Sequence, residues 1–232
     1  MASLLSTTLN TRWLREGCSR YIRSDVPDKL TDEEIAWLLE HNVRTIVDLR
    51  APAEAAKRPC RLAQHPDFQY HSMPVSTGDI VPLCPEDVPR SYMAMADEQM
   101  ERIIQLVEHA PSNVMYFCNA GKDRTGVLSA LLLRRMGASR QEIVDNFLIT
   151  ADNLKEMLAE FVANVCNVVN PEVVVLGGGV TKAGTVLLEG IQKYFHKFVF
   201  HANGNVRFAL ADLGNDAGAY GAFKLALDAF GA

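Results

Sequence analysis

Apolar residues fall at helical spacing in some stretches of the chain and in short β-branched runs in others, and the residues between them punctuate the expected elements. Thr31-Asp32-Glu33-Glu34 has the form of a capping box, and behind it Ile35, Leu38 and Leu39 share one helical face until Asn42. A buried strand is predicted next, over Val43 to Leu49, delivering Asp48 and Arg50 at its carboxyl end. Residues 51–90 are rich in proline and read as loops around a short strand near Tyr70 to Val75. Ile103, Ile104 and Val107 mark a helix over Met100 to Val107, which Pro111-Ser112-Asn113 closes off. Val114 to Phe117 is a short apolar strand that runs straight into Cys118-Asn119-Ala120-Gly121-Lys122-Asp123-Arg124-Thr125-Gly126. A helix from about Val127 to Met136 follows, with Gly137 as its left-handed cap. Ser139 to Glu142 forms a second capping box opening a helix through Phe147, and Leu154 to Val165 reads as another helix. Past Asn170-Pro171 the pattern predicts a strand over Val173 to Leu176, a turn at Gly177-Gly178-Gly179, a helix over Ala183 to Phe195, a strand over Val206 to Ala209 and a helix over Ala217 to Leu227. The alternation predicts an α/β layer structure with a central, mostly parallel sheet flanked by helices.

Composition narrows the function classes. With 232 residues, 48% of them hydrophobic and 22% charged, the chain is neither disordered nor fibrous, and its length suits one large domain or two small ones. The 23 basic and 28 acidic residues give a net charge of −5, and no clustered basic face is evident, so nucleic acid is not expected as a partner. No apolar run approaches the length of a membrane span, which makes the cytoplasm the expected location. The five cysteines are odd in number and widely spaced, which suggests reduced thiols and neither a disulfide framework nor a metal site.

One of those thiols sits in a chemical setting. A Cys-x5-Arg spacing alone has about 0.3 chance matches in this composition, but here it lies between a strand and a helix, with Gly121 and Gly126 allowing a tight path. Backbone amides of such a loop, Asn119 to Lys122 with Gly126 behind them, can turn toward three phosphoryl oxygens, as helix starts do for anions. A helix N-terminus also lowers the pKa of a thiol, which a nucleophilic Cys118 requires. Arg124 offers a planar fork for two equatorial oxygens, a geometry lysine lacks. Thr125 can hydrogen-bond the sulfur, Asp123 can protonate the leaving oxygen, and Lys122 adds a positive charge suited to a second phosphate.

The run from Cys118 to Gly126 resembles the loop of the bacterial tyrosine/serine protein phosphatases, a cysteine-dependent family. The likeness includes Asn10, Arg12, Tyr21 to Asp25, Leu30-Thr31, Val47 to Arg50, Glu54, Pro59, Tyr70 and Met73 to Val75, and it continues to about Leu154. It implies a cysteine-phosphatase fold, a phosphocysteine intermediate on Cys118, Asp123 as the acid, and activity on phosphotyrosine and often phosphoserine, phosphothreonine or phosphoinositide. It implies no cofactor and no metal, and a phosphorylated protein or phosphoinositide as the substrate partner. Asp48 matches a family position near the site, read either as a substrate contact or as a strand-end hydrogen-bonder. Phe117 stands where many relatives carry histidine, which implies a less depressed thiol pKa, and the family's early glycine-rich loop is not visible after Arg12.

The tail is of another kind. Asn170 to Val180, Ala183-Gly184, Leu213 to Gly218 and Gly221-Ala222 resemble the C-terminal end of the ROK family of sugar kinases and repressors. The chain is accordingly read as a phosphatase-like domain over 1–162 and a ROK-like fragment over 163–232. That fragment carries five basic and five acidic residues, so the net charge of −5 belongs to the first 162. It either packs on the phosphatase-like part or pairs with another copy to give a homo-oligomer. The alternatives to a phosphatase are an inactive phosphate-binding or scaffold protein, with an intact Cys118, Asp123 and Arg124 set against it, and a nucleotide or sugar-phosphate binding module built on the tail.

Overall fold

The computed structural model describes residues 3–76, 88–177, 185–200 and 204–211. Two short antiparallel strands open it, β1 (Arg12–Trp13) and β2 (Tyr21–Ser24). Helix α1 (Asp32–Glu40) starts where the capping box predicts: Thr31 Oγ1 accepts from the Glu34 amide at 3.2 Å and Glu34 Oε2 accepts from the Thr31 amide at 2.9 Å. Glu34 also accepts from Ser6 Oγ, the Thr7 amide and Thr7 Oγ1. Burial opposes its ionisation, but these hydrogen bonds outweigh it and bring the pKa down to about 2. Asn42, at φ +53°, turns the chain out of the helix and into β3 (Val43–Asp48).

Helix α2 (Pro52–Lys57) lies within the segment read as loop. Proline hid it: Pro52 stands in the first turn, where its missing N–H costs nothing, and Glu54 accepts from the Ala51 amide. Then come β4 (Gln69–Ser72), α3 (Val88–Ala94), α4 (Glu98–His109), β5 (Asn113–Phe117) and α5 (Asp123–Arg135). Helix α5 begins four residues earlier than the sequence pattern predicts. Gly137 closes the segment at φ +77°.

The next helix corrects the expectation of two. Residues Arg140–Val169 form one continuous 30-residue helix, α6, opened by the Ser139–Glu142 capping box. Polar residues between the two expected pieces face partners: Thr150 Oγ1 accepts from Arg12 and Arg23, and Asn153 Nδ2 donates to the Leu9 carbonyl and Asn10 Oδ1. With no glycine or proline between the two expected pieces, nothing interrupts the backbone ladder.

Strand order in the main sheet is β1-β2-β5-β3-β4, with β5 parallel to β2 and β3, and β3 parallel to β4. This is the central, mostly parallel sheet flanked by helices that the sequence predicts. Strand β5 is buried on both faces, and its side chains alternate between two cores. Val114 and Tyr116 join α4 and α5 residues such as Ile104, Val107 and Leu128, whereas Met115 and Phe117 join Ile22, Leu38 and Ile46. Ser24 of β2 and Asp48 of β3 both pair with Phe117 of β5, so three parallel strands end at one level. Cys118 is the next residue.

The chain divides into two compact units, Met1–Asn153 and Leu154–Ala232. In the second, β6 (Val173–Leu176) pairs in parallel with β7 (Arg207–Leu210), and α7 (Thr185–Phe195) lies between them in sequence. Its core holds Val162, Ala163, Cys166 and Phe195, with Phe195 edge-on to Phe208 at 4.9 Å. The expected turn at Gly178-Gly179 and the helix over Ala217 to Leu227 lie outside the described residues, as does Cys84. Among the described residues no helix is long and apolar enough to cross a membrane.

Candidate functional site

The loop after β5 is fixed by its carbonyls. Asn119 O accepts from the Val26 amide at 3.3 Å, Ala120 O from Asn10 Nδ2 at 2.8 Å and Gly121 O from Arg23 Nη2 at 2.8 Å. In a trans peptide the following N–H points opposite to the carbonyl. Three successive anchors therefore turn the amides of Ala120, Gly121 and Lys122 the other way, and among the described residues no hydrogen bond engages them. Helix α5 then begins with no side-chain cap on its first amides. The result is a concave set of donors suited to an anion.

Gly121 is required by this path. It sits at φ +65°, and a Cβ there would lie 2.6 Å from the Ser24 carbonyl oxygen, a backbone atom that cannot swing away. Gly126 faces α6 more loosely, where a Cβ would meet the Phe147 ring at 3.0 Å.

Arg124 is gripped from the side. Its Nη1 and Nη2 donate to Glu54 Oε2 and Oε1 at 2.6 and 2.8 Å, and Asn119 Nδ2 donates to Glu54 Oε1. One carboxylate from α2 thus ties both ends of the loop. The hydrogen bond from Arg124 holds the Glu54 pKa down to about 2. Among the described residues two of the five guanidinium donors are used, which leaves three for a ligand. Glu54 was visible in the sequence only as part of the likeness upstream of the loop, and the signal for its role is its place in the first turn of a helix after Asp-Leu-Arg.

Asp123 accepts from Tyr92 Oη and has Lys122 Nζ at 3.8 Å. Burial, with help from Asp123, pushes the Tyr92 hydroxyl well above its ordinary pKa, so it stays a donor. Thr125 is buried, and its Oγ1 has no hydrogen-bond partner among the described residues, Cys118 Sγ included. Cys118 itself is 3% exposed. A cavity of about 620 Å³ is lined by Lys122, Asp123 and Arg124 of the loop together with Glu54, Val75, Tyr92 and Met95; Cys118 is not among its lining residues.

Nine of the ten site residues expected from sequence, Cys118 to Gly126, form this loop and the helix start. The tenth does not line it. Asp48 is wholly buried; its carboxylate accepts from the Arg50 amide, Arg50 Nε and Nη2, and Tyr70 Oη at 2.6 to 3.2 Å. The reading of Asp48 as a substrate contact is therefore corrected to a strand-end hydrogen-bonder, because no surface or free lone pair is left for a ligand. Among the described residues no three His, Cys, Asp or Glu side chains gather in a metal-holding group.

Comparison with known proteins gives one family and, in addition, a sugar-kinase relative. The chain matches the profile of the tyrosine phosphatase family over residues 6–223. It is 28% identical over 145 residues to a tyrosine-protein phosphatase of Nostoc commune, covering 58% of this chain and 49% of that one. It is also 37% identical over 101 residues to a glucokinase of Halalkalibacterium halodurans, covering 43% of this chain but 29% of the kinase. The chain thus spans about half the length of the phosphatase relative and under a third of the kinase. Among solved structures, a phosphotyrosine complex of P. aeruginosa TpbA is 16% identical, with TM-score 0.42 and coverage of 63% of this chain and 76% of that one. A human tyrosine phosphatase-like serine/threonine/tyrosine-interacting protein is 14% identical, with TM-score 0.38 and coverage of 66% and 98%.

Proposed function

The chain belongs to the tyrosine phosphatase family, and from that premise we propose that it hydrolyses phosphotyrosine through a phosphocysteine on Cys118. The observation that carries this reading is the loop with three carbonyls anchored outward and Arg124 held in place by Glu54. Inward amides and the free guanidinium donors bind the three non-bridging oxygens, and they keep hold as charge spreads over those oxygens in the transition state. The Cys118 thiolate forms a bond to phosphorus as the bond from phosphorus to the tyrosyl oxygen breaks. Asp123 gives its proton to that oxygen. Water then attacks the phosphocysteine, Asp123 takes a proton from it, and the P–S bond breaks to release phosphate and the thiolate, toward which the Thr125 hydroxyl is free to turn.

The cavity supports an aryl ester. Val75, Tyr92 and Met95 give an apolar wall for a ring, while Lys122 at the rim offers a charge to a second phosphate, which extends the reading to phosphoinositide as a secondary substrate. Phosphoserine and phosphothreonine would leave that wall uncovered. No metal or cofactor enters any step, and a reducing compartment keeps the thiol active.

We further infer that the chain joins two ancestries, with the kinase-like part reaching upstream of residue 163. The kinase match of 101 residues is longer than the stretch 163–232, so it is not confined to it. With under a third of a kinase present, this part carries no kinase chemistry in our reading. The test is hydrolysis of p-nitrophenyl phosphate and of a phosphotyrosine peptide by the Cys118→Ser protein. We expect turnover to vanish while vanadate binding persists; substantial remaining turnover overturns the reading.

A further inference from the structure

The charges around the loop balance in pairs, with one exception. Arg50 pairs with Asp48, Arg124 with Glu54, and Lys122 stands 3.8 Å from Asp123. Tyr92 from α3 and Tyr116 from β5 face the same region as neutral hydroxyls, the latter bonded to Ser129. The exception lies beneath the loop. Arg12 of β1 and Arg23 of β2 are directly opposite each other in the antiparallel ladder, and both are buried, at 3% and 1% exposure.

Neither has a carboxylate within ion-pair distance among the described residues. Their acceptors are neutral. Arg12 donates to Asn10 O and Oδ1, Asn146 O and Thr150 Oγ1, and Arg23 donates to Asn146 Oδ1, Thr150 Oγ1 and Gly121 O. The Nε of each has no hydrogen bond. Asp25, the next residue after β2, is hydrogen-bonded by the amides of Leu9 and Asn10, and its charge favours the charged form of Arg12 without an ion-pair contact. Burial, and then the charge of Arg23, hold Arg12 down to about 9; burial likewise lowers Arg23.

Two like charges buried face to face without a counter-ion are unfavourable, and opposite each other in a ladder they repel. Arg50, the third buried arginine among the described residues, does have a carboxylate partner in Asp48. Arg23 instead reaches the loop: its Nη2 holds the Gly121 carbonyl, and the amide of the same peptide unit, that of Lys122, faces the cradle.

We propose that the missing counter-ion of the Arg12–Arg23 pair is the anion held by the loop, the Cys118 thiolate before substrate arrives and the phosphoryl group during turnover. Arg23 is then a positioning residue acting through the Gly121 peptide, and Arg12 adds to the same field from one strand further away. This rests on the reading of Cys118 as the nucleophile. It also supplies a source of thiolate support in a chain that carries Phe117 before the cysteine.

The test is the rate of iodoacetamide alkylation of Cys118 against pH, followed on the Cys118 peptide by mass spectrometry in the full-length protein. Arg23→Gln should move the midpoint up by about one pH unit, Arg12→Gln by less, and Arg23→Lys, which keeps the charge, by least. Vanadate affinity should fall in the same order, by roughly tenfold for Arg23→Gln. A folded Arg23→Gln protein with the wild-type midpoint overturns the proposal. If that variant does not fold, Arg12→Gln decides, since its side chain does not touch the loop; an unmoved midpoint there overturns it equally. Alkylation needs no turnover, so a failure of the phosphatase reading, seen as activity retained in Cys118→Ser, is distinguishable from a failure of this one.

Discussion

The two compact units differ in what their polar groups do. In the first, long polar side chains tie distant segments: Glu34 holds Ser6 and Thr7, Arg20 reaches the Glu108, Ala110 and Ser112 carbonyls, and Glu54 spans the loop. Two apolar clusters back this network, one on each face of the sheet. In the second, among the described residues, Val162, Ala163, Cys166 and Phe195 form one buried apolar cluster, and Phe161, Val168 and Phe200 are more than 60% exposed. A buried polar network is favourable only when nearly every member is satisfied, and in the first unit Arg12 Nε, Arg23 Nε and Thr125 Oγ1 are the members left unpaired among the described residues.

The largest effect expected from this contrast is at Gly121. Gly121→Ala should lower kcat/KM by a hundredfold or more (on the order of 3 kcal/mol), because the collision with Ser24 displaces the donors. Steady-state kinetics of a variant that still folds would check it, and wild-type turnover would break the idea that the first unit has no slack at the loop. Phe195→Ala tests the other side. It should destabilise the second unit by about 3 kcal/mol or more while leaving p-nitrophenyl phosphate turnover near wild type. Denaturant melts and kinetics on one preparation would show both, and a parallel loss of activity would mean that the two units stand or fall together.

Glu54→Gln should cost roughly tenfold to a hundredfold in kcat/KM, on the order of 1–3 kcal/mol. Its pH dependence has a definite sign. Glu54 is held at about 2 against 4.5 for a free glutamate, so its stabilisation is complete above about 4.5 and is lost as pH falls toward 2. Acid titration should therefore show the wild-type advantage over Glu54→Gln shrinking in that window and constant above it. The smallest effect is at the start of α1, where Thr31→Ala should cost about 1 kcal/mol in melts without changing turnover.

Legibility followed the range of the interaction. Helix α1, strand β3, strand β5 and the end of α5 were readable because a capping box, a β-branched run and a left-handed glycine are local signals. Helix α2 was not, since a proline reads as a breaker until its place in the first turn is known. The break expected within α6 failed for a related reason: Thr150 and Asn153 find their partners more than a hundred residues away. The nine loop residues stood out together as one contiguous motif. Glu54, Tyr92, Arg12 and Arg23 acquire meaning only from neighbours the sequence does not place, and the choice between the two readings of Asp48 needed its saturation by Arg50 and Tyr70, a tertiary fact.

The flush ends of β2, β5 and β3 set a tolerance for the whole site. Each residue advances a strand by about 3.3 Å and reverses the side its neighbours face. One residue inserted before Phe117 would leave every letter of the motif intact, yet carry the thiol past the rim on which Val26, Asn10 and Arg23 wait for their carbonyls. The proposed chemistry would depend on the length of a five-residue strand as strictly as on Cys118 itself.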